Sequence, residues 1–150
     1  MNRPKIICHI LQSVDGNIGG SFFSQPETMP ALQVFARIRE EYACDAIISG
    51  AATAAEIYAN NTADELPEVN ETYPRNDWQA AKADKYAVII DGQGTIRWQN
   101  GMVERRGDKM HVITILQENV SDAYIALLRQ AGVSYPMFLR VRKAWIYRLQ

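Results

Sequence analysis

Four short apolar runs, separated by stretches with helical spacing, set the strongest limit on how this chain can fold. Lys5 to Leu11, Asp45 to Ser49, Tyr86 to Ile90 and Met110 to Leu116 are rich in isoleucine and valine. A short run of this kind is what a central strand covered on both faces requires. In the first run His9 and Ile7 share one face, and Cys8 and Ile10 share the other. Between the first two runs, Leu32, Phe35, Ile38 and Tyr42 recur at three- and four-residue spacing, one apolar stripe on a helix with Thr28 as N-cap and Pro30 in its first turn. The clearest helix follows the last run. Ser121 is a good N-cap, Val120 and Ile125 form a hydrophobic staple, Tyr124, Leu127, Leu128 and Ala131 draw the buried stripe, and Gly132 stops it. Strands alternating with helices imply an α/β fold with a central, mostly parallel sheet. At 150 residues the chain is one domain at most, and 47% apolar residues are enough for a core.

The first run opens into Gln12-Ser13-Val14-Asp15-Gly16-Asn17-Ile18-Gly19-Gly20. Three glycines in five residues suit backbone with positive φ or close approach to a ligand, and ligands in α/β proteins sit where strands end. Asp15 is the only carboxylate there. The stretch reads as the mouth of a site, although Asp-Gly after a strand is equally a plain turn. The loop from Gly16 to Pro30 is long, and loops of that length often cover a ligand. A second junction, Ser49-Gly50-Ala51-Ala52-Thr53, passes from strand through glycine to a helix start, a recipe for an anion site that also permits tight helix packing.

Ser13-x-Asp15-Gly16 at the end of the first strand, behind Arg3-Pro4-Lys5-Ile6-Ile7-Cys8-His9, resembles the opening of the riboflavin-biosynthesis pyrimidine reductase domain. That domain belongs to the deaminase-reductase family, with a dihydrofolate-reductase-like fold. The resemblance implies a three-layer sandwich and NADPH-dependent reduction of 5-amino-6-(5-phosphoribosylamino)uracil, or of a related pyrimidine or pterin. It implies that Gly50 and Thr53, matching the family's Gly-x-x-Thr, contact the cofactor together with Gln12 and Gly16. Ser13 would meet substrate, and Asp15 would be the catalytic carboxylate orienting the nicotinamide region or the substrate amine. The family places an Asp four residues after the Thr, where this chain has Ile57.

The resemblance covers residues 1–135, a partial reductase domain. Family members continue after Ala-Gly-Val-Ser-Tyr with another strand, further βα units and a Gly-rich turn for the pyrophosphate. Here Pro136 interrupts, and residues 136–150 form an atypical tail without glycine. Codons permitted for Arg140 to Tyr147 give Gly-Lys-Glu-Ser-Leu-Asp-Leu in a shifted frame, so the tail is expected to be a frameshift product and the fold truncated at its C-terminal end. The alternatives to an active reductase are an inactive remnant, whose open sheet edge would favour a homodimer, and a nucleotide-binding module without catalysis.

A net charge of −1 gives no electrostatic reason to bind nucleic acid or an anionic membrane. The basic, aromatic tail, with Arg140, Arg142, Lys143, Trp145, Tyr147 and Arg148, is the one exception. No apolar run approaches a membrane span and no leader pattern opens the chain, so a cytoplasmic location is expected. Cys8 and Cys44 are expected as small buried hydrophobes, with neither a disulfide framework nor a metal pattern. His9 is expected in the core or at its rim and His111 at the surface. Residues 59–79, acidic through Asp64, Glu65, Glu68 and Glu71, read as an exposed excursion.

Overall fold

The structure, a computed structural model, describes residues 4–58, 61–62 and 65–138, in two compact units divided between Cys44 and Asp45. The tail residues 139–150 lie outside the described residues.

In the first unit two 3-10 turns, Ser21–Ser24 and Pro26–Thr28, lead into α1 (Met29–Glu41). Pro30 sits in its first turn as expected, but Thr28 does not cap it by side chain. The Thr28 hydroxyl donates to the Phe22 carbonyl at 2.6 Å instead, closing the preceding loop. The expected strand at 5–11 is not formed among the described residues, and Ile6 and Ile10 are 81% and 57% exposed. An apolar run states a preference for burial; a strand also needs a neighbour to take its backbone hydrogen bonds. His9 stacks on Phe35 with ring centroids 4.1 Å apart. Cys8 and Cys44 are both exposed, contrary to expectation, because the run that was to bury Cys8 forms no strand among the described residues and Cys44 lies in the turn after α1.

The second unit is α/β. Its elements are β1 (Ala46–Gly50), α2 (Ala51–Ile57), β2 (Tyr86–Ile90), β3 (Met102–Arg105), β4 (Asp108–Gln117), α3 (Asp122–Ala131) and β5 (Met137–Phe138). The five-stranded sheet runs β1-β2-β4-β3, with β5 also on β4. All pairs are parallel except the β3–β4 hairpin, so the sheet is mostly parallel and flanked by helices. Register aligns Ile47 with Ala87 and Val112, and Ile89 with Thr114, on one face. Ala87, Ile89 and Val112 on that face join Ala54 and Tyr58, with Tyr124, Ile125 and Leu128 of α3, in the core. Each valine, leucine or isoleucine among them contributes about 2 kcal/mol when fully buried. Ile48, Val88 and Ile113 line the opposite face, where Ile48 remains 60% exposed.

α3 forms as its sequence requires. Ser121 Oγ accepts from the Tyr124 N–H at 3.2 Å, and Gly132 ends the helix at φ 69°. The β3–β4 hairpin was not expected. Its turn places Arg106 at φ 53° and Gly107 at φ 84°, and the Arg-Gly pair was the available signal. Residues 66–79 are not a free excursion. Leu66, Tyr73 and Trp78 pack on the core, and Trp78 bridges to Tyr135. Arg75 fixes the segment, donating to Asp122 Oδ1 at 2.7 Å and to the carbonyls of Tyr73, Glu118 and Val120. Side chains rather than a ladder hold it, which is why no periodicity marks it.

His111 is 1% exposed, not a surface residue, because the chain from Trp78 to Tyr86 and residue Ser134 close over its end of β4. Its Nε2 lies 2.7 Å from Ser134 Oγ, which accepts the Ala80 N–H at 2.9 Å. Burial lowers the imidazole pKa from 6.5, and a hydrogen bond to the Gly101 carbonyl opposes that only in part. The folded state therefore takes up the proton less readily than the unfolded state. This contribution to stability is complete above pH 6.5 and is lost as the pH falls from there through the lowered folded value. Melting temperature measured from pH 8 to pH 5 should fall on the acid side, and His111→Gln, which keeps a hydrogen-bonding group without a titration, should flatten that fall. An unchanged slope would show that His111 is not its source.

Candidate functional site

The sequence-derived site residues fall into two groups, one in each unit. Gln12, Ser13, Asp15 and Gly16 belong to the first, and Gly50 and Thr53 to the second. The first group is a closed turn. Ser13 N–H donates to the Asn17 carbonyl and Gly16 N–H to the Ser13 carbonyl, both at 2.9 Å. The Ser13 hydroxyl donates to Asp15 Oδ1, and Asn17 Nδ2 donates to Asp15 Oδ2 at 2.7 Å. Gly16 has φ 85°, a left-handed conformation that explains the glycine. Gln12 is exposed beside the turn. The Ser13 hydrogen bond, above all, holds the Asp15 carboxyl below its ordinary 3.8, so it is an anion at neutral pH.

In the second group Gly50 ends β1 with an extended backbone, φ −79°, so its conformation does not demand glycine. A Cβ there would meet nothing within 4 Å, which leaves the backbone open to approach. Thr53 is exposed on α2. α2 has only seven residues, less than two turns in all, so the dipole behind an anion at its start is small. Ile57, at the position where the family has Asp, is half-buried against the core.

Beside these residues runs a cleft of about 550 Å³. Ala51, Ala52 and Ala55 of α2 form one wall, Thr95 and Arg97 the other, and Thr62 also lines it. The lining begins just past the carboxyl ends of β1 and β2, where open α/β sheets bind ligands. Sequence reasoning missed Arg97. The signal was the alternation Thr95-Ile96-Arg97-Trp98, in which buried Ile96 and Trp98 turn the exposed Thr95 and Arg97 outward. The lining thus sets an arginine and two threonine hydroxyls against the methyl groups of three alanines.

The second unit defines a class: an α/β protein with a mostly parallel sheet and a cleft at its carboxyl edge. No family model, curated protein or solved structure matches the chain. No described helix is long and apolar enough to cross a membrane, and no three described His, Cys, Asp or Glu side chains converge as metal ligands.

The turn at 13–17 makes its own forecast. The Asp15 carboxyl, followed by carbon-detected NMR, should titrate below an ordinary aspartate, and Ser13→Ala should move the midpoint upward. A midpoint indifferent to Ser13 would remove the hydroxyl as its cause.

Proposed function

We propose that this chain is an NADPH-dependent reductase acting on a phosphoribosylamino-pyrimidine of riboflavin synthesis or on a related pterin. The observation that carries the reading is the cleft at the carboxyl ends of β1 and β2, which continues from the Gly50 to Thr53 junction. When bound, the dinucleotide supplies the hydride. The protein's part is to hold the nicotinamide against the sugar carbon and to set the local charge. In this reading Gly50 and Thr53 of the second unit would receive phosphate or ribose; for the first unit, taken by itself, the resemblance gives Gln12 and Gly16 to the cofactor and Ser13 to the substrate. Asp15, held as an anion by Ser13 and Asn17, orients the substrate nitrogen.

A second reading rests on the same turn. The Asp15 carboxylate is fully exposed and already bonded within its own loop, as a turn former would be, and this favours a nucleotide-binding module without turnover.

Calorimetric titration with NADPH should give a saturable isotherm with a Kd tighter than ~1 mM, about −4 kcal/mol. Added pyrimidine substrate should then consume reduced nicotinamide. Binding without consumption selects the module. If the reductase reading holds, Asp15→Asn should keep NADPH affinity and melting temperature while lowering turnover by about tenfold or more, whereas unchanged turnover would return Asp15 to the role of turn former.

A further inference from the structure

A second cavity, of about 370 Å³, lies within the second unit and shares no residue with the cleft beside α2. Trp78, Gln79, Tyr86, Ile113, Ser134 and Tyr135 are among its lining residues. Ser134 bridges to Ile113 of β4: the Ser134 N–H donates to the Val112 carbonyl at 3.2 Å, and the Thr114 N–H donates to the Ser134 carbonyl at 2.8 Å. Side chains two residues apart on a strand share a face, so this register puts Ser134, Ile113 and His111 on one side of the sheet. There His111 Nε2 lies 2.7 Å from Ser134 Oγ. The ring also bonds to the Gly101 carbonyl. A carbonyl only accepts, and a neutral imidazole has one N–H, so the Gly101 bond takes that proton and leaves Nε2 as an acceptor. Ser134 Oγ already accepts the Ala80 N–H at 2.9 Å, and its own proton therefore points to Nε2. A serine hydroxyl donating to an imidazole that a third group orients is the arrangement of an activated nucleophile and its base. Burial lowers the ring pKa from 6.5 and so keeps the base neutral at neutral pH.

We propose that Ser134 and His111 form a nucleophile and base pair that hydrolyses small carboxylic esters bound in this cavity. The proposal goes beyond the reductase reading and uses none of its residues. Ser134 Oγ attacks the ester carbonyl carbon while its proton passes to His111 Nε2. The tetrahedral adduct collapses with loss of the alcohol, which takes that proton from Nε2 and leaves the acyl group on Ser134 Oγ. Water then attacks the acyl carbon and gives a proton to Nε2. The bond from the acyl carbon to Ser134 Oγ breaks, the carboxylic acid leaves, and the proton returns to the serine. Ester and water become acid and alcohol, with no change of oxidation state. The Tyr86 hydroxyl accepts the Ala83 N–H at 2.9 Å and keeps its own proton to donate, so the lining includes a donor for the oxyanion. A cavity at the small end of the ligand-pocket range, walled by Trp78, Ile113 and Tyr135, suits a short apolar acyl group, and the Asp77 carboxylate in the same lining disfavours an anionic one.

A fluorophosphonate probe and p-nitrophenyl acetate test the pair on the full chain. The native protein should displace fluoride from the probe and carry the phosphonyl group at Ser134, located by peptide mass spectrometry, and it should release p-nitrophenol from the ester. Heat-unfolded protein should take no label. That comparison stands whether or not any variant folds. His111→Gln should slow labelling and ester hydrolysis by about hundredfold or more, and Ser134→Ala should abolish the label. Melting temperature, read alongside, separates a lost base from a lost fold. No label at Ser134 of the native chain, or an equal rate of labelling in a folded His111→Gln, overturns the proposal and leaves the pair as a hydrogen bond that ties Ala80 to β4. Either result leaves the titration with NADPH as an independent test of the reductase reading.

Discussion

The buried carboxylate of Asp91 is the interaction on which the second unit turns. It is 2% exposed and accepts from the Thr95 N–H, the Thr95 hydroxyl and the Ile96 N–H, all at 2.8 to 2.9 Å. The Tyr124 hydroxyl lies 3.2 Å from the same carboxylate and donates to the Ile96 carbonyl at 2.8 Å. Burial, with the nearby negative charge, pushes the Tyr124 hydroxyl pKa well above its usual value, so it remains a donor at any physiological pH. One node thus ties the end of β2, the turn at 91–94 and helix α3. The turn is tight enough to fix its own sequence. Gly94 has φ 69°, and a Cβ there would fall 2.5 Å from a Tyr124 ring carbon. Leaving a buried acceptor such as Asp91 without its donors costs about 1 to 3 kcal/mol. The wall that carries Arg97 follows from this geometry.

The sheet around that node is asymmetric. The face bearing Ala87, Ile89 and Val112 is closed by a continuous core, while Ile48 and Ile90 on the other face stay 60% and 54% exposed. β4 organises the far side. Its first half pairs antiparallel with β3, and on the same edge its second half takes Ser134 and then β5. Pro136 interrupts the strand between these pairings without ending it, because a proline still offers its carbonyl, and the Leu116 N–H donates to it at 3.1 Å. The first residues of the tail thus add to the sheet even though Pro136 marks a change of pattern in the sequence.

What could be read from the sequence depended on where each element's hydrogen bonds go. β2 and α3 were legible because their signals are local: an apolar run bounded by Asp91-Gly92, and a helix with Ser121 and Gly132 at its ends. The α/β class followed from their alternation. The run at 5–11 carries as strong an apolar signal as β2, yet no described strand pairs with it, and no run of residues announces its own partner. His111 looked peripheral because burial came from Ser134 and the 78–86 segment, far away in sequence. Arg75 was hidden for the same reason, its four acceptors spread from Tyr73 to Asp122. Of the candidate site, the glycine at position 16 was legible from its turn, whereas the cleft depended on Asp91 setting the direction of residues 95–97.

The state of Asp15 narrows the chemistry that the proposed reductase can use. A carboxylate that accepts from Ser13 and Asn17 and has a lowered pKa is a poor proton donor at neutral pH. On the proposed reading, a substrate nitrogen that carries positive charge would be favoured by a fixed anion that does not itself give up a proton. Asn at this position would keep the turn but lose that preference, since an amide carries no net charge to set against the cation. Charge held in place, rather than proton transfer, is therefore the role that this turn can give Asp15, and Ser13 and Asn17 are the groups that hold it there.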